Sequence, residues 1–180
     1  MTAESETTKS FSVFAYGSNM LSGRIRRRCP SAAALGTAEL HGYEIKWHKR
    51  SKDGSGKCDV VQINNATAVV YGVLYEISVG ERQALDKAEG VGIGYEAKNG
   101  EVTFMGTPRM ASIYHATAID PSLKPYSWYK ALVVAGAKEH NLPERYVERL
   151  LATVALEDPD RERHAHNWLL PAADRSGLPS

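Results

Sequence analysis

No stretch of this 180-residue chain runs to about 18 consecutive apolar residues, so no transmembrane helix is expected. Cysteine is scarce: Cys29 and Cys58 are the only two, and two isolated thiols make neither a disulfide framework nor a metal-type cluster. Excess charge of one sign is missing as well. With 22 Lys and Arg against 21 Asp and Glu, the net charge is +1. That balance gives no electrostatic reason to expect nucleic acid or an anionic membrane as a partner. Residues 1–10 are polar and lack the basic and apolar regions of a signal peptide, so the default expectation is the cytoplasm. There is no internal repeat.

Several motif-like pieces are incomplete. Gly54-Ser55-Gly56-Lys57 has Ser51 where a phosphate loop needs its first glycine, and Cys58 where it needs Ser or Thr. Gly90, Gly92 and Gly94 are spaced G-x-G-x-G with no helix expected after them, which is not a dinucleotide fingerprint. Ser18 has Tyr16 two residues before it, where a serine nucleophile elbow needs glycine. His164 and His166 lie two apart with no third metal ligand signalled.

What is present is an ordinary composition, 43% hydrophobic, in a chain long enough for one domain with a real core. Residues 11–16 read as a buried strand. Residues 19–28 read as a helix capped by Ser18 or Asn19, with Pro30 after its end. Strands are expected over 38–47 and 58–63, joined by a polar loop over 48–57. The run VVYGVLYEI over 69–77 is the strongest strand in the chain. A helix over 80–88 stops at Gly90. Asn99-Gly100 predicts a hairpin turn within 96–104, and 111–119 a further strand. Helices are expected over 125–140 and 144–155, the second burying Val147, Leu150, Leu151 and Val154. Many strands with few helices indicate a mixed, barrel-like α+β domain over 11–157, after a disordered lead-in (1–10) and before a charged tail (158–180).

Two features carry chemistry. In Tyr16-Gly17-Ser18-Asn19 a strand ends in a tight turn at a helix start, where backbone N–H groups converge without intrahelical partners and can receive an anion or oxyanion. Glu89 lies four residues beyond Leu85 and shares its helix face. A carboxylate at a helix C-terminus meets the negative end of the dipole, and partial burial would suit it to acid/base work. The plain alternative is an exposed Glu at a frayed helix end. Asp86 is the rival carboxylate. Arg24, Arg26, Arg27 and Arg28 read most simply as a solvated surface with one or two packing internally.

Residues 14–20 (FAYGSNM), Arg24-Ile25 leading to Pro30-Ser31-Ala32, Gly72-Val73-Leu74-Tyr75, the segment Leu85-Asp86-Lys87-Ala88-Glu89-Gly90, Tyr129, Gly136-Ala137-Lys138-Glu139 and Leu142-Pro143 follow one another in an order that resembles the gamma-glutamylcyclotransferases. The resemblance covers roughly residues 11–150. It implies an α+β fold, a small mixed β-barrel with flanking helices. It also implies a pocket in which Tyr16, Gly17, Ser18 and Asn19 hold a glutamyl group and Glu89 is catalytic. Tyr95 and Tyr129 would line that pocket, as would Tyr114; the Tyr95 match needs a one-residue shift in the glycine loop. The implied activity converts a small-molecule γ-glutamyl compound to 5-oxoproline plus an amine or amino acid, with no metal or other cofactor required. A monomer or homodimer is expected. Three other readings stand beside it: a non-catalytic small-anion-binding module of the same fold, a γ-glutamylamine-specific deprotecting enzyme, and a hydrolase using Ser18.

Overall fold

In a computed structural model, residues 9–168 are described. Its axis is β5 (Val69–Ser78), the strand with the densest β-branched and aromatic content, which is buried over most of its length. Two antiparallel neighbours flank it: β1 (Ser10–Ala15), with Val13 opposite Tyr75, and β2 (Ala33–His41), with Thr37 opposite Val73. A long hairpin of β6 (Tyr95–Phe104) and β7 (Thr107–Ala116) continues the sheet from β2. A parallel contact between Val13 and Ser112 then closes a five-stranded barrel, ordered β1-β5-β2-β6-β7. Closure leaves the barrel no free edge. Phe14, Leu74, Tyr75, Ile77 and Ile113 are almost fully covered; successive side chains alternate across β5, so Leu74 faces one side of the sheet while Tyr75 and Ile77 face the other. At Gly72 a Cβ would lie 2.4 Å from the Ala15 carbonyl and 2.7 Å from the Phe14 ring, so β5 passes β1 closely only because a side chain is missing there.

A second, two-stranded sheet of β3 (Tyr43–Arg50) and β4 (Gly56–Gln62) lies outside the barrel. The helices are α1 (Ser22–Arg28), α2 (Arg82–Glu89), α3 (Ser127–Glu139), α4 (Glu144–Ala152) and α5 (Arg161–Trp168). Among the described residues, no helix is long and apolar enough to cross a membrane.

The expected mixed α+β barrel with flanking helices is found, with local corrections. The Asn99-Gly100 hairpin is absent: β6 runs straight through it, and the turn falls at Met105-Gly106, both at positive φ. Gly100 serves packing instead, since a Cβ there would sit 2.8 Å from Ile113 Cδ1. The strand expected over 38–47 breaks at Gly42 (φ 77°), where the chain leaves the barrel for the small sheet. That sheet extends to Arg50 and resumes at Gly56, so the expected ten-residue loop shrinks to 51–55. The strand expected over 111–119 covers Thr107–Ala116. The first helix starts at Ser22 after a separate 3-10 turn, Ser18–Met20, and neither Ser18 nor Asn19 caps it. Glu139 of α3 does so from a distance, accepting the Ser22 N–H at 2.9 Å. The fourth helix ends at Ala152, leaving Leu151 and Val154 exposed. Strand β1 begins at Ser10, inside the expected lead-in; residues 1–8 and 169–180 lie outside the described residues. Within 158–168, α5 forms and Asp158 is buried, accepting from Trp128 Nε1 at 2.9 Å and from Arg163.

Candidate active site

The site forms where β1 runs out. Beyond Ala15 the chain turns through Tyr16 and Gly17 into the 3-10 turn Ser18–Met20. Three elements hold that turn. The Tyr16 hydroxyl donates to the Tyr114 carbonyl on β7. The Tyr75 hydroxyl of β5 donates to the Met20 carbonyl at 2.8 Å. Helix α3 presses on it at Gly136, where a Cβ would come within 2.5 Å of Leu21 N and 2.7 Å of Met20 Cβ. The opening amides of such a turn lack partners within it, and here the turn residues line a cavity of about 380 Å³, mouth included.

Tyr16, Gly17, Ser18, Asn19, Glu89, Tyr95, Tyr114 and Tyr129, drawn from five separate segments, all line this cavity. Every residue expected from the sequence at the site is therefore in one place. Glu89 is the last residue of α2, and Gly90, in the left-handed conformation (φ 71°), stops the helix there. The Glu89 Oε1 accepts from Asn19 Nδ2 at 2.7 Å and is paired with Arg28 Nη1. The same Arg28 Nη1 donates to Asn19 Oδ1 at 3.0 Å. A carboxylate set at the unfavourable end of its own helix thus takes its compensating charge from the last turn of α1. Asp86 points elsewhere, accepting the Tyr114 hydroxyl at 2.7 Å.

Cys58, on β4, closes the floor. Its N–H donates to Tyr129 Oη at 3.1 Å and its carbonyl accepts the Tyr95 hydroxyl at 2.6 Å. A Cβ on Gly17 would stand 3.2 Å from Cys58 Cβ and 3.3 Å from Tyr129 Oη, so the turn approaches this floor as closely as glycine allows. Burial pushes the Cys58 thiol up to about 12 and the hydroxyls of Tyr16, Tyr95 and Tyr129 well above the ordinary phenol value. All four are neutral near pH 7, and the thiol is no nucleophile.

Three further cations contact residues that line the cavity. Arg24 Nε donates to Ser18 Oγ at 3.0 Å, and burial, with Arg28 beside it, lowers its guanidinium to about 10. Lys49 Nζ lies 4.8 Å from the Tyr95 ring centre. Burial lowers its ammonium, while Glu89 acts in the opposite sense. Lys57 Nζ, paired with Asp53 at 2.8 Å, sits 4.4 Å from the Trp128 ring and 4.6 Å from that of Tyr129. The combination of positive charge, neutral hydroxyls and one carboxylate suits a ligand carrying both an anionic and a protonated amino group.

Sequence reasoning missed Arg24, Arg28, Lys49 and Cys58. The arginine-rich stretch reads as solvated surface, yet Arg24 and Arg28 are four apart and so share one helix face, turned towards Ser18 and Glu89. That spacing was the available signal. Nothing local marks Cys58 or Lys49, because β4 and β3 reach the pocket only through tertiary packing.

A model of the AIG2-like family matches residues 69–150. Two curated relatives cover most of the chain. The Gamma-glutamylcyclotransferase of Bos taurus is 32% identical over 153 residues, 81% of this chain and 80% of that protein. The Gamma-glutamylcyclotransferase of Homo sapiens is 31% identical over 149 residues, 80% of this chain and 79% of that protein. Among solved structures, one titled Gamma-glutamyl cyclotransferase superposes with a TM-score of 0.81 at 28% identity, covering 94% of this chain and 100% of that one. An uncharacterized protein from Homo sapiens superposes at 0.75 with 32% identity, covering 82% and 89%. Sequence identity across four-fifths of both partners coincides with one shared barrel, and on that ground the chain belongs to the gamma-glutamylcyclotransferase family and is an enzyme of that class.

Proposed function

We propose that the enzyme converts a γ-glutamyl compound to 5-oxoproline and a free amine or amino acid, with Glu89 as the single acid/base. The observation carrying this reading is that Glu89 and the turn residues Gly17, Ser18 and Asn19 line one pocket. The substrate's α-amine attacks its own γ-carbonyl. One C–N bond forms, the C–N bond to the leaving group breaks, and nothing is oxidised or reduced. Because the nucleophile is tethered, folding the glutamyl chain into attack geometry is the main task, and orientation of this kind can be worth about 7–11 kcal/mol in favourable cases.

Three proton transfers remain. The α-ammonium must lose one proton before it can attack, the attacking nitrogen must lose a second on becoming the lactam N–H, and the departing nitrogen must gain one. Glu89 accepts the first proton and delivers it to the departing nitrogen, and the second passes to solvent. The amides of Gly17, Ser18 and Asn19 receive a glutamyl oxygen, either the α-carboxylate or the developing oxyanion, with the charge of Arg24 behind Ser18. Tyr129 and Tyr95 form the aromatic wall with neutral hydroxyls, and Tyr16 fixes the turn. No step calls for a metal or redox cofactor.

The test is mass-spectrometric detection of 5-oxoproline from a panel of γ-glutamyl amino acids and γ-glutamyl amines, wild type beside Glu89→Gln. Release from some members, lost in the variant, is expected. Undiminished release by Glu89→Gln overturns the acid/base role, and silence of the folded wild type across the panel overturns the reaction.

A further inference from the structure

We infer that Arg28 is a positioning residue that divides the two oxygens of Glu89, anchoring Oε1 so that Oε2 alone carries the proton. This rests on the acid/base role proposed for Glu89. Three observations carry it. First, both donors that reach the carboxylate, Asn19 Nδ2 and Arg28 Nη1, converge on Oε1. Second, among the described residues Oε2 accepts no protein hydrogen bond, yet it is not one of the side-chain atoms sealed from solvent without a partner, which are Tyr146 Oη and His164 Nδ1. Oε2 is therefore open to solvent, and Glu89 is one of the residues that line the cavity. Third, Arg28 also holds Asn19 Oδ1 at 3.0 Å. One guanidinium nitrogen therefore fixes the acid and the turn that faces it in a common frame.

The division has a chemical consequence. An oxygen already receiving an ion pair and an amide N–H is a poor base, because a proton there would displace a charge-assisted donor. The open oxygen takes one proton from the α-ammonium and passes the same proton to the leaving nitrogen, so the carboxylate ends as it began; the second proton that the attacking nitrogen sheds on becoming the lactam N–H passes to solvent. The side chain need not rotate between the two steps. Without Arg28, the Asn19 amide, itself no longer tied through Oδ1, alone holds Glu89, and either oxygen can face the substrate at the wrong distance. Arg28 touches no reacting atom in this scheme; its effect falls on turnover more than on substrate affinity.

The experiment is steady-state 5-oxoproline release by Arg28→Met, which keeps an aliphatic stem, and by Arg28→Gln, each first checked for folding by circular dichroism. Misplacement of an acid/base by about 1 Å costs on the order of 10²-fold, and the expected loss is of that size in kcat, with KM changed by less than about threefold. Added guanidinium ion is expected to restore part of the kcat of Arg28→Met and none of that of Glu89→Gln. A purely structural arginine would give no such rescue. Unchanged kcat in a folded Arg28 variant, a loss confined to KM, or the absence of guanidinium rescue overturns the inference. If Glu89→Gln is itself fully active, the failure lies with the acid/base reading. If Glu89→Gln is dead and Arg28→Met normal, the failure lies with Arg28 alone.

Discussion

The Tyr114 hydroxyl donates to Asp86 Oδ1 at 2.7 Å, which commits the rival acid of the 85–90 segment to a hydroxyl while Glu89 faces Asn19 and Arg28. The two carboxylates therefore differ in what substitution removes. Asp86→Asn keeps an oxygen able to accept from Tyr114, and its kcat should stay within about threefold of wild type. Glu89→Gln removes a group that can both take and give a proton, and general acid/base catalysis of this kind is worth about 10²–10⁴-fold. Initial rates of 5-oxoproline release compare the two directly, and equal losses would move the assignment to Asp86.

Gly136→Ala should harm the site from behind. Its Cβ would meet backbone atoms of Leu21 and Met20 at 2.5–2.8 Å, and backbone cannot swing aside as a side chain can. Overpacking of this sort costs about 1–3 kcal/mol. Urea unfolding should show a loss of that size, and KM should rise because Ser18 and Asn19 immediately precede the displaced residues. A variant with native stability and native KM would show that α3 can retreat.

Alkaline pH should unfold the protein through its buried acids. Folding raises the Cys58 thiol from 9.0 to about 12, so the native state keeps a proton that the unfolded chain releases. This stabilisation is complete below about pH 9 and is lost as pH climbs towards 12; Tyr16, Tyr95 and Tyr129 act in the same sense above about pH 10. Thermal melts from pH 7 to 11 should show Tm falling through that window, less steeply for Cys58→Ala. At pH 8, iodoacetamide should spare Cys58 in the native protein and label it in urea.

At the acid end the sign reverses. Arg163, then Trp128 and the Asp160 N–H, hold the Asp158 carboxyl down at about 2. Its contribution is present above about pH 4 and is lost as pH falls towards 2. Asp158→Asn should lower Tm at pH 7 and speed amide exchange across α5, while leaving 5-oxoproline release unaltered. Loss of activity with unchanged exchange would contradict a purely structural tie.

How far the site was legible in the sequence depended on whether its cause was local. The 16–19 turn and Glu89 are local: each follows from one strand or helix ending at a glycine-marked boundary. Strand β5 is equally plain, because no polar residue interrupts it from Val69 to Tyr75. Asn99-Gly100 misled because Gly100 is required by Ile113 across the hairpin, a packing need that imitates a turn signal. Arg28 was hidden by its neighbours Arg26 and Arg27, which are exposed. Only the folded register shows which arginine meets the acid. Cys58 and Lys49 come from the small sheet, and nothing in their own segments states where that sheet will lie.

The Val13–Ser112 contact joins strands about a hundred residues apart, and closing a loop of that length is the slow, entropically costly part of forming a barrel. The 16–19 turn hangs from the end of β1, and the Tyr16 hydroxyl finds the Tyr114 carbonyl only once β7 is in place. A chain still being synthesised, or one cut before β7, can form the β1–β5–β2 sheet and still lack the Tyr114 and Tyr129 walls of the pocket. Activity should therefore arise all at once, late in folding, and no fragment ending before Ser112 should turn over substrate.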